Sequence, residues 1–257
     1  MFDSHCHLNF PEFQSRLISD LEKCTFNGIN QWMIPGINLD SLNEFKQIIE
    51  RTSQLKKLPL HFYFALGLHP YFIQHHKLTD TNLLETQINT FNIQAIGETG
   101  LDATCENHTL QTQLLERHFE FAKNLNLPII LHHRQTLPEL LKVAKKFPTV
   151  TGVIHAFSGS YEQAMQWGNL GYFLGVGATI TYERATKTRK AIKQIDLEHL
   201  LLETDAPSMP IFGKQGEVNA PINLIEVART LATLKNDDLH YVDEKCSNNA
   251  NLLFRKR

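Results

Sequence analysis

The chain has 257 residues, 42% of them hydrophobic, and its 25 Lys and Arg residues against 27 Asp and Glu residues give a formal net charge of -2. This length and apolar fraction are sufficient for a sizeable core, which excludes a disordered chain and a small disulfide-stapled domain. The near-zero net charge argues against a protein that holds a long nucleic acid through a basic surface.

Targeting and membrane segments are not predicted. The first residues contain no basic region followed by an apolar one. The longest apolar runs, such as Phe62–Leu68 and Leu127–Leu131, are shorter than the ~20 residues that a membrane helix requires. The four cysteines are widely spaced, which indicates reduced thiols. We therefore expect a cytoplasmic protein, with Arg255-Lys256-Arg257 as a solvated tail.

Short apolar runs alternate with helix-periodic stretches along the chain, and each run is a candidate β-strand. In chain order the candidates are Phe2–His7, Gln31–Pro35, His61–Leu66, Ile93–Gly97, Ile129–His132, Gly152–His155, Tyr172–Val176 and Leu200–Glu203. They are mostly apolar throughout, as expected for parallel strands buried on both faces. Eight βα units in ~250 residues are typical of a TIM barrel. A doubly wound open sheet stays an alternative, because periodicity does not show closure.

No Gly-rich linker, charge block or short-period repeat divides the chain. We therefore predict one α/β domain over residues 1–257, folded as a (β/α)8 barrel.

A pair of histidines ends the first candidate strand. Because alternate side chains of a strand share a face, His5 and His7 are expected to point the same way, with Cys6 in the barrel wall. Two imidazoles aimed at one point can chelate a divalent cation. A hydrogen-bonded or surface pair is the alternative when this motif is considered alone.

Other candidate strands also end in histidines or carboxylates. These are Glu98 after the fourth strand, His132 and His133 at the fifth, His155 at the sixth, and Glu203 and Asp205 at the eighth. In a barrel the carboxyl ends of the strands converge on the face that carries active sites. Mixed imidazole and carboxylate ligands suit zinc, manganese and related ions. The His5 and His7 pair with one such group from each of the other four strand ends makes six ligands, which exceed what one catalytic ion needs, so two ions sharing a carboxylate, and hydrolytic chemistry, are predicted.

Six motifs in this order resemble the TatD family of metal-dependent hydrolases and deoxyribonucleases, a branch of the amidohydrolase-like TIM barrels. The motifs are Asp3–His7, Gly67–Pro70, Ile96–Asp102, Leu131–Arg134, His155–Ser160 and Leu202–Pro207. The stretch Gly175–Tyr182 is most similar to the YjjV-type branch of that family.

The resemblance implies two divalent metal ions per chain, chosen from Zn, Mn, Mg, Ni and Co. It implies that the first ion is bound by His5, His7 and Asp205, and that Glu98 bridges to a second ion bound by His132 and His155. A hydroxide held by the metals would attack the substrate, and Asp205 would take the proton from the nucleophilic water.

The sequence departs from the family pattern near the eighth strand. Gln215 and Glu217 stand where the family commonly has two cations. Since guanidinium and ammonium groups are natural phosphate partners, this weakens the case for a long DNA substrate. Lys214 is expected to compensate in part. His133 and Ala156 also depart from the common residues and are expected to adjust the surroundings of the metal ligands.

Three further residues are predicted substrate contacts. His69 is expected to hydrogen-bond a phosphate or protonate the leaving group, and the alternative is a loop histidine held by a carbonyl. For Arg134 the choice is between anion binding and a salt bridge to Asp102 or Glu203. Ser158 precedes a helix whose first amides are a potential anion site, although capping by Ser160 is the commoner use of such a sequence. The remaining loop and helix histidines, His75, His76, His108, His118, His199 and His240, are predicted to lie on the surface.

The leading hypothesis is a phosphodiesterase or deoxyribonuclease acting on ester bonds, with a small phosphoester or a nucleic-acid end as substrate. A carboxylic ester or amide hydrolase with the same metals is the alternative. A noncatalytic metal-binding barrel is disfavoured because all six ligands are present. A monomer without an obligate protein partner is expected.

Overall fold

A computed structural model describes residues 1–255, whereas Lys256 and Arg257 of the predicted tail lie outside the described residues. Within residues 1–255 the strands are β1 (Phe2–Asp3), β2 (Gln31–Pro35), β3 (His61–Leu66), β4 (Ala95–Asp102), β5 (Ile129–Arg134), β6 (Gly152–Ile154), β7 (Phe173–Val176) and β8 (Leu200–Leu202). The α-helices of the same residues are α1 (Leu17–Phe26), α2 (Ser41–Thr52), α3 (Asp80–Thr90), α4 (His108–Leu125), α5 (Leu137–Ala144), α6 (Tyr161–Gly168), α7 (Thr186–Gln194), α8 (Leu224–Lys235) and α9 (Leu239–Phe254).

The eight strands form one parallel sheet in the order β1 to β8. The Ser4 amide donates a hydrogen bond of 2.9 Å to the Leu202 carbonyl and so joins the first strand to the last. This closure confirms the predicted TIM barrel and excludes the doubly wound open sheet. No helix within residues 1–255 is long and apolar enough to cross a membrane.

Two apolar layers hold the barrel together. One fills its interior with buried side chains such as Met33, Ile130 and Leu201, and Phe254 of α9 packs against the same cluster. The other lies between the strands and the surrounding helices. Because α9 packs against Phe2 at the start of β1, it covers the amino-terminal end of the barrel. The opposite end of the barrel, where the carboxyl ends of the strands lie, is therefore the end left open for a functional site.

The predicted bounds of β2 and β3 are confirmed, but those of β1 are wrong. The predicted strand Phe2–His7 ends at Asp3. Beyond that point single hydrogen bonds to two different neighbours replace the ladder, from the Cys6 amide to the Met33 carbonyl (3.0 Å) and from the His7 amide to the Ala206 carbonyl (2.8 Å). The chain is thus anchored on both sides at the seam of the barrel. The strands β6 and β8 also end one residue earlier than predicted.

The predicted end of the fourth strand at Gly97 is wrong as well. β4 continues to Asp102, and its register against β5 shifts between Ile96 and Thr99. Gly97 adopts a φ of 136°, and a Cβ atom at this position would lie 2.7 Å from the Ile130 carbonyl oxygen. A glycine is therefore required where the strand becomes irregular. Glu98 lies inside the strand, within this irregular stretch.

The prediction that His118 and His76 lie on the surface is also wrong, because both are buried. His118 lies on the inner face of α4, where its Nδ1 is 2.6 Å from the Leu114 carbonyl oxygen. Its Nε2 accepts a hydrogen bond of 3.0 Å from the Leu68 amide. Helical periodicity alone does not reveal this role, because the partner amide comes from a loop 50 residues away.

Candidate metal centre

The six predicted metal ligands meet at the carboxyl end of the barrel. Their ligand atoms form compact groups, in each of which all atoms lie within 4.8 Å of one another. One group contains His5, His7 and Asp205, and another contains His5, Glu98 and His155. The expectation that His5 and His7 point the same way is confirmed, since their Nε2 atoms are 3.3 Å apart. Cys6 between them is fully buried in the apolar core.

Glu98 lies at the centre of the cluster, with 1% of its surface exposed. Its Oε2 atom is 3.1 Å from His5 Nε2 and 3.4 Å from His7 Nε2. Its Oε1 atom is 3.2 Å from His132 Nδ1 and 3.1 Å from His155 Nε2. The two oxygens of one carboxylate thus face two different histidine pairs. We call His5 and His7 the first pair, and His132 and His155 the second pair.

Asp205 completes the surroundings of the first pair. Its Oδ1 atom is 3.7 Å from His5 Nε2 and 3.6 Å from His7 Nε2. The segment before it is tied across the seam of the barrel, because the Asp3 carboxylate accepts hydrogen bonds from the Thr204 amide (2.9 Å) and hydroxyl (2.6 Å). Asp3 therefore fixes the distance between the segment that carries the first pair and the segment that carries Asp205.

Two further carboxylates lie behind the second pair. Asp102 Oδ2 is 3.4 Å from His132 Nε2, and Glu203 Oε1 is 3.5 Å from His155 Nδ1. Neither carboxylate forms an ion pair with Arg134, whose side chain is exposed. The interpretation of Asp102 or Glu203 as a salt-bridge partner of Arg134 is therefore wrong. The motifs contain both acids, but their spacing in the sequence does not reveal which histidine each one contacts.

His69 follows β3 and lies beside Glu98, with its Nε2 2.9 Å from Glu98 Oε1. Its Nδ1 accepts a hydrogen bond of 3.0 Å from the Tyr71 amide. A neutral imidazole that accepts at Nδ1 carries its proton at Nε2, so His69 donates towards Glu98. Burial lowers the pKa of His69 to about 4, against the opposing effect of Glu98. His69 thus presents an N–H group to the centre. One ligand atom each of His69, Glu98 and His132 also forms a group compact enough to hold a metal ion.

The electrostatics of the cluster fit a bound cation. Burial disfavours the charged form of Glu98, but His69, His155 and His5 outweigh it and hold the pKa of Glu98 well below its usual range. Burial, with His155 adding to it, lowers the pKa of His5 well below the usual value. A charged carboxylate and a neutral imidazole are the forms that bind metal ions, so Glu98 and His5 are in the binding form. Neighbouring carboxylates outweigh burial and raise the pKa of His132 and that of His155, so these two imidazoles must release a proton to bind a cation. The mixed nitrogen and oxygen donors suit zinc, manganese, cobalt or nickel better than magnesium, which prefers oxygen ligands.

A pocket of about 510 Å³ opens from the cluster to solvent. Its walls are partly apolar, with Phe10, Ile37, Phe72 and Met209 among the lining residues. Arg134 and Ser158 also line it, and both are exposed. Within residues 1–255, Arg134 is the one lysine or arginine that lines this pocket.

Two neighbouring groups are engaged elsewhere. Lys214 donates a hydrogen bond of 3.0 Å to Asn223 Oδ1 and is not among the residues that line the pocket, so its partial compensation for the two missing cations stays a prediction. Ser160 forms a capping box with Gln163 at the start of α6. This confirms the capping role for Ser160.

Comparison with known proteins places the chain among metal-dependent hydrolases. The family model described as TatD related DNase matches residues 2–255. An uncharacterized metal-dependent hydrolase of Haemophilus influenzae is 37% identical, over 98% of this chain and 98% of that protein. Human deoxyribonuclease TATDN3 is 29% identical, over 100% of this chain and 95% of that protein.

A solved structure agrees with the same assignment. The crystal structure of YjjV, a TatD homologue from Escherichia coli K12, superimposes with a TM-score of 0.91 at 33% identity. The match covers 100% of this chain and 98% of that one.

Proposed function

The chain belongs to the TatD family of metal-dependent hydrolases, and we propose that it cleaves phosphoester bonds at a centre of two divalent ions bridged by Glu98. The observation that carries this proposal is the division of the Glu98 carboxylate, whose Oε2 faces the first pair and whose Oε1 faces the second pair. One ion between the first pair and Asp205, and another at the second pair, would use all six predicted ligands.

Ions bound there would activate a water molecule near neutral pH and neutralise charge on the phosphoryl oxygens. The other roles fall to side chains around them. Asp205 lies beside the first pair and lines the pocket, where a carboxylate is able to accept the proton of the attacking water. The Nε2–H of His69 donates towards Glu98 Oε1, and we propose that it turns to a phosphoryl oxygen of the substrate when Glu98 binds the ions.

We propose a small phosphoester or the end of a nucleic-acid strand as substrate. Arg134 and Ser158 line the pocket, and a guanidinium and a hydroxyl are groups that donate hydrogen bonds to phosphate oxygens. A long polynucleotide requires phosphate contacts along an extended basic surface, and the formal net charge of -2 does not favour one. The cytoplasm as compartment and the monomer as assembly stay predictions from the sequence.

The proposal is tested with protein loaded with Mn²⁺ or Zn²⁺ and three phosphoesters: bis-p-nitrophenyl phosphate, p-nitrophenyl phosphate and end-labelled single-stranded DNA. We expect hydrolysis of at least one of them, lost in His132→Ala and kept in His108→Ala, whose side chain is exposed on α4. If the protein binds two ions and cleaves none of the three phosphoesters, the phosphoesterase proposal is wrong.

The apolar walls of the pocket favour a second candidate, a carboxylic ester or amide hydrolase at the same centre. Phe10, Ile37, Phe72 and Met209 provide surface for an apolar acyl group. Activity on acyl esters or cyclic amides without activity on phosphoesters would select this candidate.

A further inference from the structure

Glu203 contacts the segment that carries His155, one member of the second pair. It is fully buried, and its Oε1 accepts a hydrogen bond of 2.6 Å from the Ala156 amide, directly after His155 in the chain. The same oxygen is 3.5 Å from His155 Nδ1, while His155 Nε2 faces Glu98. The His155 ring therefore lies between two carboxylates, one in the centre and one behind it.

Gly175 of β7 provides the space for Glu203. A Cβ atom at Gly175 would lie 2.1 Å from Glu203 Oε2, closer than real Cβ contacts allow. A side chain at this position would have to displace the Glu203 carboxylate. Gly175 belongs to the stretch that resembles the YjjV-type branch.

Asp102 stands in the same relation to His132. Its Oδ1 accepts hydrogen bonds from the Thr104 amide (2.8 Å) and hydroxyl (2.6 Å), which fix the carboxylate. Its Oδ2 faces His132 Nε2 at 3.4 Å, while His132 Nδ1 faces Glu98 at 3.2 Å. Both members of the second pair therefore present one ring nitrogen to the centre and the other to a buried carboxylate.

The first pair lacks this arrangement. Within the described residues the carboxylate contacts of His5 and His7 all involve Nε2, and no carboxylate lies behind their Nδ1 atoms. These Nδ1 atoms have no hydrogen-bond partner, and neither has His155 Nδ1, but the latter lies 3.5 Å from Glu203 Oε1. A carboxylate behind a histidine ligand fixes the orientation of the ring and places negative charge near the cation. Asp102 and Glu203, the carboxylates that make this difference between the pairs, have no other role in the proposed mechanism.

We propose that Asp102 and Glu203 are positioning residues that orient His132 and His155 and raise the affinity of the second metal position only. The inference rests on the proposed function, because it requires two separate metal positions. Loss of such a carboxylate typically costs 10–100-fold in metal affinity, and we expect this loss for one ion of the two.

The experiment measures Co²⁺ binding by equilibrium dialysis with metal analysis, using Asp102→Asn, Glu203→Gln and Gly175→Ala. Each variant is expected to bind one Co²⁺ with wild-type affinity and the other about 10- to 100-fold more weakly. The matched controls are Glu139→Gln, an exposed carboxylate on α5, and Gly168→Ala, where an added Cβ meets nothing within 4 Å. His132→Ala and His7→Ala identify the affected position, since the weakened ion must be the one that His132→Ala loses.

The outcomes separate this inference from the proposed function. If the three variants bind both ions with wild-type affinity, or lose affinity for both ions equally, the positioning role is wrong while the binuclear centre stands. If the wild-type protein binds fewer than two Co²⁺ ions, the binuclear centre is wrong and the inference falls with it. Thermal unfolding of the metal-free variants checks folding, and Glu203→Gln tests the inference even if Asp102→Asn does not fold.

Discussion

The first and second histidine pairs face the same carboxylate, but different contacts hold their rings. His7 stacks on Phe10 with ring centroids 4.6 Å apart, and His5 stacks on His155 at 3.9 Å. The second pair instead has a buried carboxylate behind each ring. One half of the centre is therefore fixed by ring packing, and the other half also by charge.

The different origins of the pairs in the chain explain this difference. His5 and His7 are two residues apart on one segment, which the Cys6 amide anchors to β2 and the His7 amide anchors to the turn after β8. Their relative position is thus set by the backbone. His132 belongs to β5 and His155 directly follows β6, so each ring needs its own partner.

The largest effect is expected from Glu98→Gln, because the Glu98 carboxylate faces both histidine pairs. An amide has one acceptor oxygen and no charge, so both metal positions should weaken. We expect kcat/KM to fall on any of the three test phosphoesters that the wild type hydrolyses. The fall should exceed the ~100-fold typical for loss of a residue that contacts a metal ligand from behind. Metal analysis should show loss of both ions. If Glu98→Gln retains two ions, Glu98 is not the bridge.

His118 is also a buried histidine, but its hydrogen bonds are to backbone groups and not to carboxylates. Its Nε2 accepts from the Leu68 amide and its Nδ1 lies against the Leu114 carbonyl, so the ring must be neutral. Burial lowers its pKa from 6.5 to about 4. Protonation therefore favours the unfolded chain, and stability present above pH 6.5 is lost as the pH falls towards 4. The shift corresponds to roughly 3 kcal/mol.

We expect His118→Gln, which does not titrate, to lose less free energy of unfolding than the wild type between pH 7 and pH 4. Urea unfolding at a series of pH values measures it. His108→Gln, on the exposed side of the same helix, should retain the wild-type pH dependence. Equal pH dependence in the wild type and His118→Gln would contradict the role of His118.

The smallest effect is expected from Phe10→Leu, which removes the ring that stacks on His7 and keeps an apolar side chain. A stacked ring pair contributes ~0.5–1.5 kcal/mol, so Co²⁺ affinity at the first position should fall about 2- to 10-fold. The second position should not change. Phe26→Leu, at a position 90% exposed, is the control. A loss at the second position instead would break the proposed division between the pairs.

The sequence predicted the barrel and the convergence of the ligands, because eight apolar runs with polar residues at their ends depend on local pattern alone. The bounds of β4 could not be predicted in this way, since the irregular register that turns Glu98 inwards depends on pairing with β5. Asp102, Glu203 and His118 were misread for the same reason. Their partners, His132, His155 and the Leu68 amide, lie far away in the chain, and no spacing rule connects them.

The central claim is that Glu98 divides the centre into two metal positions. Anomalous diffraction from crystals grown with Mn²⁺ or Zn²⁺ tests it most directly. We expect two peaks on opposite sides of the Glu98 carboxylate, one beside the Nε2 atoms of the first pair and one beside His132 Nδ1 and His155 Nε2. A single peak, or a second peak away from His132 and His155, would contradict the account.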